Sequence, residues 1–296
     1  MKRQLTFPLI RMILSTLCLI FLLSFIGVGV ANAFLPTFPK QLTLLTKNGQ
    51  YHQTLCPKLT NTIENRVHGK TSTPFKLLNW NIYKQQKENW GVRLTEWANE
   101  ADFITLQEAK LSPKLIELSH QKQFFYLQNY AFEHNNLIYG VNTLSKVAPT
   151  SLCGSTYNEP WILIPKTAVA STYPIHGSEQ LLLIVNIHGV NFTFTEQPLH
   201  EQLAPYIELI MQHKGPVIFS GDFNTWSDAR LADVKQSLIK SGFSETPFNE
   251  DKRMKMFGLP LDHIFFRGLK VIDAQSIETD ASDHSPQFVT FDLIPA

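Results

Sequence analysis

This sequence has almost no charge imbalance: 26 Lys and Arg face 25 Asp and Glu, for a formal net charge of +1. So even a balance leaves no global electrostatic footprint for nucleic acid and disfavours a dedicated DNA binder, though not a local basic groove. Charge of either sign is also scarce, at 17% of 296 residues, while 44% are hydrophobic. That argues against a disordered chain and supplies core for one large domain or two small ones. Cysteine is scarcer still, with three. Cys18 lies in an apolar N-terminal run, and neither Cys56 nor Cys153 has a second cysteine at ligand spacing, which argues against zinc. In an oxidising compartment the remaining pair permits a disulfide. Internal repeats and low-complexity tracts are lacking.

What is present begins with a targeting segment at residues 1–33. Lys2, Arg3 and Arg11 supply positive charge, an uncharged apolar run follows from Met12 to Val30, and Ala31-Asn32-Ala33 has the small-x-small form of a signal-peptidase site. The run is long for a signal and nearly long enough to span a bilayer. Cleavage after Ala33 is the favoured reading, with an uncleaved inner-membrane anchor at 12–30 as the alternative. Both export the body of the protein, because the positive flank stays inside.

Residues 34–73, with Pro36, Pro39 and Pro57, read as a lead-in arm holding at most a short element around Leu42–Leu45. The compact domain is expected over 74–296. Within it, apolar β-branched or aromatic runs predict strands at Phe75–Trp80, Phe103–Leu106, Val141–Ser145, Trp161–Ile164, Thr167–Pro174, Leu181–His188, Pro216–Phe219, Asp262–Phe266 and Gln287–Leu293. Helical spacing predicts helices at Gln86–Asn99, Ser112–His120 and Glu201–His213. A further one has Ser227 as N-cap and Gly242 as stop. Strands outnumber helices, and the helices fall in two groups around a β-rich middle. The expected fold is therefore two packed sheets with helices outside.

The stretch around which the chain is organised is Ser220-Gly221-Asp222-Phe223-Asn224-Thr225-Trp226. A buried strand ends at a glycine turn, so Asp222 and Asn224 emerge together, a carboxylate and an amide suited to a cation, a water or a phosphate oxygen. Other polar residues end apolar runs in the same way: Asn81, Glu108, Asn186 with His188, Asp262, and Asp283 with His284. Each has a bland explanation as an Asx turn, a solvated strand end or a loop cap. Chance accounts poorly for so many of one kind in one domain.

The motifs WNIYKQQ (80–86), LQEA (106–109), VNIH (185–188), GDFN (221–224), LDHIF (261–265) and SDHSP (282–286) resemble, in order, those of the endonuclease/exonuclease/phosphatase superfamily. The resemblance spans about Phe75 to Leu293. It is nearest to a little-characterised bacterial branch of unassigned function. It implies a DNase I-like four-layer α/β/β/α sandwich of two mixed sheets. It also implies an exported hydrolase that cleaves phosphodiester or phosphomonoester bonds by attack of an activated water. Metal ligands would be Glu108, Asn81 and Asp283. Asp222 and Asn224 would hold and activate the water, Asp262 would orient and charge the His284 imidazole that contacts the phosphate, and His188 would face it from the other side. Mg²⁺ is the implied ion, with Mn²⁺ as substitute, since the ligands are oxygen donors. Lys166 and Asn186 are candidates to touch a substrate phosphate, with Arg253 and Arg267 weaker ones. The substrate would be a nucleic acid or a phospholipid, and the enzyme a monomer. Tyr83 stands where some nuclease branches carry an acidic ligand, and Asn-x-His at 186–188 is absent from the abasic-site repair branch. A catalytically silent phosphate- or partner-binding module on the same fold is the competing expectation, and it predicts loss of a key residue.

Overall fold

The computed structural model describes residues 35–62, 69–160 and 164–294. Two large sheets dominate. The first runs, edge to edge, Leu269–Ser276, Gln287–Leu293, Phe75–Asn81, Phe103–Lys110, Leu137–Ser145, Phe125–Asn129, Thr43–Thr46 and Gly49–His52, with Phe132–His134 paired to Leu137–Ser145. The second runs Ser244–Glu245, Asp262–Arg267, Val217–Asp222, Leu182–His188, Pro165–Tyr173, Ser151–Asn158 and Thr60–Asn61. Both are mixed. Phe75–Asn81 pairs in parallel with Phe103–Lys110, and Leu182–His188 with Val217–Asp222. Each parallel pair needs a crossover, and a helix provides it: Trp90–Trp97 in the first sheet, Gln197–Gln212 in the second.

The period-2 geometry of strands sorts the side chains into layers. Leu78 and Trp80 point outward onto Leu94 and onto Leu115 of the Pro113–Gln121 helix. Leu183, Val185, Val217 and Phe219 point outward on the other sheet, against Leu203, Tyr206, Val234 and Leu238 of Gln197–Gln212 and Asp228–Lys240. Phe75, Leu77, Phe103, Leu182, Ile184 and Ile218 fill the space between the sheets. Burying each such side chain contributes about 1.5–3 kcal/mol. The result is a four-layer α/β/β/α sandwich, as the sequence led one to expect.

The inner face is graded along each strand. From Phe75 it reads Phe75, Leu77, Asn79, Asn81; from Leu182 it reads Leu182, Ile184, Asn186, His188. Past the apolar layer the amides hydrogen-bond across the gap, Gln107 Nε2 donating to Asn79 Oδ1 at 2.9 Å and to Asn186 Oδ1 at 2.8 Å. Thr105 and Ser220 hydroxyls meet at 3.0 Å. The site lies beyond this amide layer.

Several local expectations change. The 34–73 stretch adds strands to both sheets: Thr43–Thr46 pairs with Phe125–Asn129, and Thr60–Asn61 with Ser151–Asn158. The disulfide that the sequence permitted does form, joining Cys56 and Cys153 across 97 residues of sequence. The first crossover helix begins at Trp90 rather than Gln86, because Tyr83, Lys84 and Gln85 form a 3₁₀ turn with positive φ. Gln197–Gln212 starts earlier than Glu201, with a proline in its first turn. Strands at Phe125–Asn129, Ser151–Asn158 and Leu269–Ser276 went unpredicted. The strand expected at Trp161–Ile164 falls mostly on 161–163, outside the described residues, as does the targeting segment 1–33.

Candidate active site

Both parallel pairs deliver their carboxyl ends to one edge of the sandwich, where Asn81 and Glu108 meet His188 and Asp222. Asp262 opens the antiparallel strand opposite Asp222, and the loop before Gln287 brings Asp283 and His284. These residues border a cavity of about 360 Å³ lined by Asn81, Glu108, Lys166, His188, Asp222, Asn224, Asp283 and His284, with Asp262 behind His284.

Local backbone features aim the side chains. Gly221 has φ +150°, and a Cβ there would lie 2.0 Å from the Ile187 carbonyl oxygen, so only glycine lets these two strands approach. Glu108 sits in a β-bulge between Leu106 and Ala109 with φ +52°, which turns its carboxylate into the cavity. Asn224 also has positive φ, and its Nδ2 donates to the Gly189 carbonyl at 2.9 Å. Trp80 Nε1 donates to the His284 carbonyl at 2.9 Å, and Ser282 Oγ to the Asn81 carbonyl at 2.7 Å, tying the last loop to the first strand.

Asp222 is the hub. Its Oδ2 accepts from Asn81 Nδ2 at 2.9 Å and lies 3.6 Å from His188 Nε2 and 3.9 Å from His284 Nε2. Its Oδ1 accepts from the Asn224 N–H at 2.9 Å. Burial, reinforced by neighbouring Asp262, pushes this carboxyl up to about 6. His284 Nδ1 donates to Asp262 Oδ2 at 2.7 Å. Burial opposes its charge, but Asp262 overrides it, with help from Asp222 and Asp283, and raises the imidazole to about 10. His284 is therefore cationic at neutral pH, with Nε2 aimed at Asp222.

His188 is the reverse. Burial, then the charges of Lys166, Lys84 and His284, hold its imidazole well below the ordinary value. Lys166 Nζ donates to His188 Nε2 at 2.8 Å, so that nitrogen is an acceptor and the ring is neutral. The positive charge on this side belongs to Lys166, itself 3.7 Å from buried Glu159.

The oxygen donors fit a hard divalent cation. Asp222, Asp262 and His284 lie with polar atoms within 4.8 Å of one another and Asp262 Oδ1 is buried without a hydrogen-bond partner, but the cationic His284 has no lone pair to give a metal. Glu108 presents its carboxylate to the cavity from the other side, 3.8 Å from His188, with Lys84 bonded to its second oxygen. The residues of the expected set, Asn81, Glu108 and Asp283, all line the cavity, with Asp283 exposed at its rim.

Asn186 does not reach the cavity. Its amide is consumed between the sheets by Gln107, Leu106 and Asn142, because its register places it one pleat deeper than His188. Arg253 is paired with Asp251 and Glu245, and Arg267 caps backbone carbonyls of Ile210, His213 and Ser241. Sequence reasoning missed Lys84 and Glu159. Lys84 stands inside the WNIYKQQ motif, a signal that was there to be used; Glu159 follows no strand-end pattern. His263, inside the LDHIF motif, is buried between Glu245 and Thr225, 2.7 Å from each, and does not line the cavity.

Residues 78–284 match the sequence profile of the endonuclease/exonuclease/phosphatase family. The chain is 38% identical over 261 residues to a UPF0294 protein of Vibrio cholerae serotype O1, covering 88% of this chain and 91% of that one. Among solved structures, the endonuclease/exonuclease/phosphatase of Bacteroides vulgatus superposes with a TM-score of 0.60 at 15% identity, over 75% of this chain and 100% of the other. D. rerio TDP2, solved with a single-strand DNA product, superposes with a TM-score of 0.54 at 15% identity, over 74% and 99%. The profile spans the strand that ends at Asn81 through the loop that carries His284, and with it this chain belongs to the endonuclease/exonuclease/phosphatase family.

Proposed function

We propose that this protein hydrolyses a phosphoester by attack of a water molecule on phosphorus, with Mg²⁺ as its ion. The observation that carries this reading is the set of charges around Asp222. A buried carboxyl near 6, a cationic imidazole and a lysine converge on one cavity.

A phosphoester resists water because its own negative charge repels nucleophiles, and more charge gathers in the transition state. Asp222, poised close to neutral pH, accepts the proton of the attacking water. Asn81 and the Asn224 N–H fix the carboxylate for that task. His284, kept cationic by Asp262, donates from Nε2 to a phosphoryl oxygen or to the leaving oxygen. Lys166 grips a non-bridging oxygen, and neutral His188 holds the Lys166 ammonium in place. Glu108 and Asn81, with Asp283 at the rim, would hold the cation, which would supply Lewis-acid charge to offset that developing on the phosphoryl group.

The reading includes export. The apolar run at 12–30 and the small-x-small site at 31–33 support it, and a Cys56–Cys153 disulfide suits an oxidising compartment. The test is hydrolysis by the purified full chain with Mg²⁺ or Mn²⁺, on plasmid DNA, sphingomyelin and phosphoinositides. Cleavage of one of them, lost with EDTA and in His284→Ala, is the expected result. Silence on every phosphoester, from a folded chain that takes up no Mg²⁺ by calorimetry, would sink it.

A further inference from the structure

The mouth of the cavity carries apolar side chains on two separate segments. Phe192 and Met256 line it beside Met254, and Phe257 follows at the tip of the hairpin formed by Lys255–Met256 and Leu259–Pro260. Phe192 is 62% exposed, Phe257 84% and Met256 37%. Both phenylalanines have positive φ, +46° and +52°, a conformation that bulky residues rarely adopt. Neither buries enough of its ring for packing to explain this.

The first segment is held firmly. Asn191 N donates to the buried carboxylate of Glu159 at 2.7 Å, and Asn191 Oδ1 accepts from Phe192 N at 2.8 Å and from Trp226 Nε1 at 2.9 Å. The buried guanidinium of Arg230 donates to Thr193 Oγ1 at 2.7 Å and to the Val190 carbonyl. A loop tied at this many points presents Phe192 to solvent by construction.

Charge identifies the partner. A nucleic acid would bring several phosphates and require Lys or Arg along their path. Among the described residues lining the cavity, the lysines and arginines are Lys84 and Lys166, one paired with Glu108 and the other with His188 and Glu159. On the approach to the hairpin, Lys252 faces Glu278 and Lys255 faces Asp251. The site is therefore provided for one phosphate, and its surroundings are apolar and charge-balanced. An interface of hydrocarbon and zwitterionic headgroups matches both features.

Resting on the hydrolase reading above, we propose that this rim docks onto a lipid bilayer and that the phosphoester cleaved there belongs to a phospholipid. Phe192, Met256 and Phe257 enter the interface and bring a single headgroup phosphate under Lys166 and His284.

Two measurements on the full chain test this separately. In the first, Phe257→Trp is compared with the parent in phosphatidylcholine vesicles, and the difference spectrum isolates the added indole. Expected is a blue-shifted emission, quenched by lipids brominated on their acyl chains. Emission unchanged from that in water would overturn docking whether or not the chain is anchored elsewhere, and so would a response to a single-stranded oligonucleotide instead. In the second, Phe192→Ser with Phe257→Ser should lower the rate on phosphatidylcholine or sphingomyelin vesicles at least tenfold, while the rate on soluble bis(p-nitrophenyl) phosphate stays within twofold. Equal losses on both, or a selective loss on the oligonucleotide, would overturn the lipid assignment. Absence of hydrolysis on every substrate would remove the hydrolase reading, while the emission would still decide docking.

Discussion

His188 and His284 stand on opposite sides of one carboxylate, 3.6 Å and 3.9 Å from Asp222 Oδ2, yet their surroundings drive them to opposite charge. Both rings are almost fully buried, so desolvation penalises the cation in each. What differs is the neighbour. His284 donates to Asp262 and stays positive, whereas His188 accepts from Lys166 and stays neutral. Burial alone therefore does not set the role of a histidine. The hydrogen-bond partner of the ring does, a carboxylate on Nδ1 of His284 and an ammonium on Nε2 of His188, by stabilising one protonation state over the other.

The largest effect should come from removing what the two rings share. Asp222→Ala is expected to lower kcat on a soluble phosphodiester by about 10²–10⁴-fold, the usual worth of a positioned general base. Parental activity in that variant would mean that neither imidazole works through the carboxylate.

Asp262→Asn sharpens the contrast by making the partner of His284 neutral. We expect a loss of roughly 10²-fold and an alkaline limb displaced to lower pH. The sign follows from the charge: without the Asp262 carboxylate the imidazolium is less favoured, so His284 gives up its proton earlier. A pH–rate profile with an unmoved alkaline limb would show that His284 is not the group titrating there.

Lys166→Met acts on the other ring. Removing the ammonium should let His188 rise toward its ordinary value of about 6.5, although burial, the larger cause, keeps it below. An NMR titration of the His188 ring checks this, and a KM raised severalfold with little change in kcat would mark Lys166 as a phosphate grip. A ring that titrates as before would place the lysine outside its electrostatic environment.

The smallest effect is on stability. The folded Asp222 carboxyl lies near 6, above its ordinary 3.8, so its favourable protonated form is present at low pH and stability is lost as pH rises through about 6. At pH 7 Asp222→Asn should raise Tm by a few degrees, at about 2–4 °C per kcal/mol for a domain of this size. His284 runs at higher pH. Raised from 6.5 to about 10, it contributes stability that is whole below 6.5 and gone once pH passes 10. A Tm of Asp222→Asn at or below the parental value would mean that Asn81 and the Asn224 N–H depend on an ionised acceptor.

Much of this was legible in the chain because strands bury alternate residues. A run such as Leu182–His188, apolar until Asn186 and His188, announces both a strand and the polar end where chemistry can sit. Gly221 was legible for the same local reason, as the residue that lets a strand end sharply. Ser151–Asn158 was not, since SLCGSTYN lacks alternation and owes its strand state to pairing with Pro165–Tyr173. Asn186 was misread because local sequence does not say whether a polar side chain near a strand end faces the amide layer or the cavity. Register against Gln107 across the sheets decides that.

The sequence by itself determined the periodicities, the caps and the residue types of the site. Those depend on neighbours a few positions away, which any chain carries with it. Only the tertiary structure decided that His188 stays neutral beside Lys166, that Lys84 meets Glu108, and that two phenylalanines stand at the mouth of the cavity. Those outcomes depend on which groups 20 to 60 or more residues apart the fold brings together, and on the Coulomb and desolvation effects between the charged ones, and no local pattern encodes them.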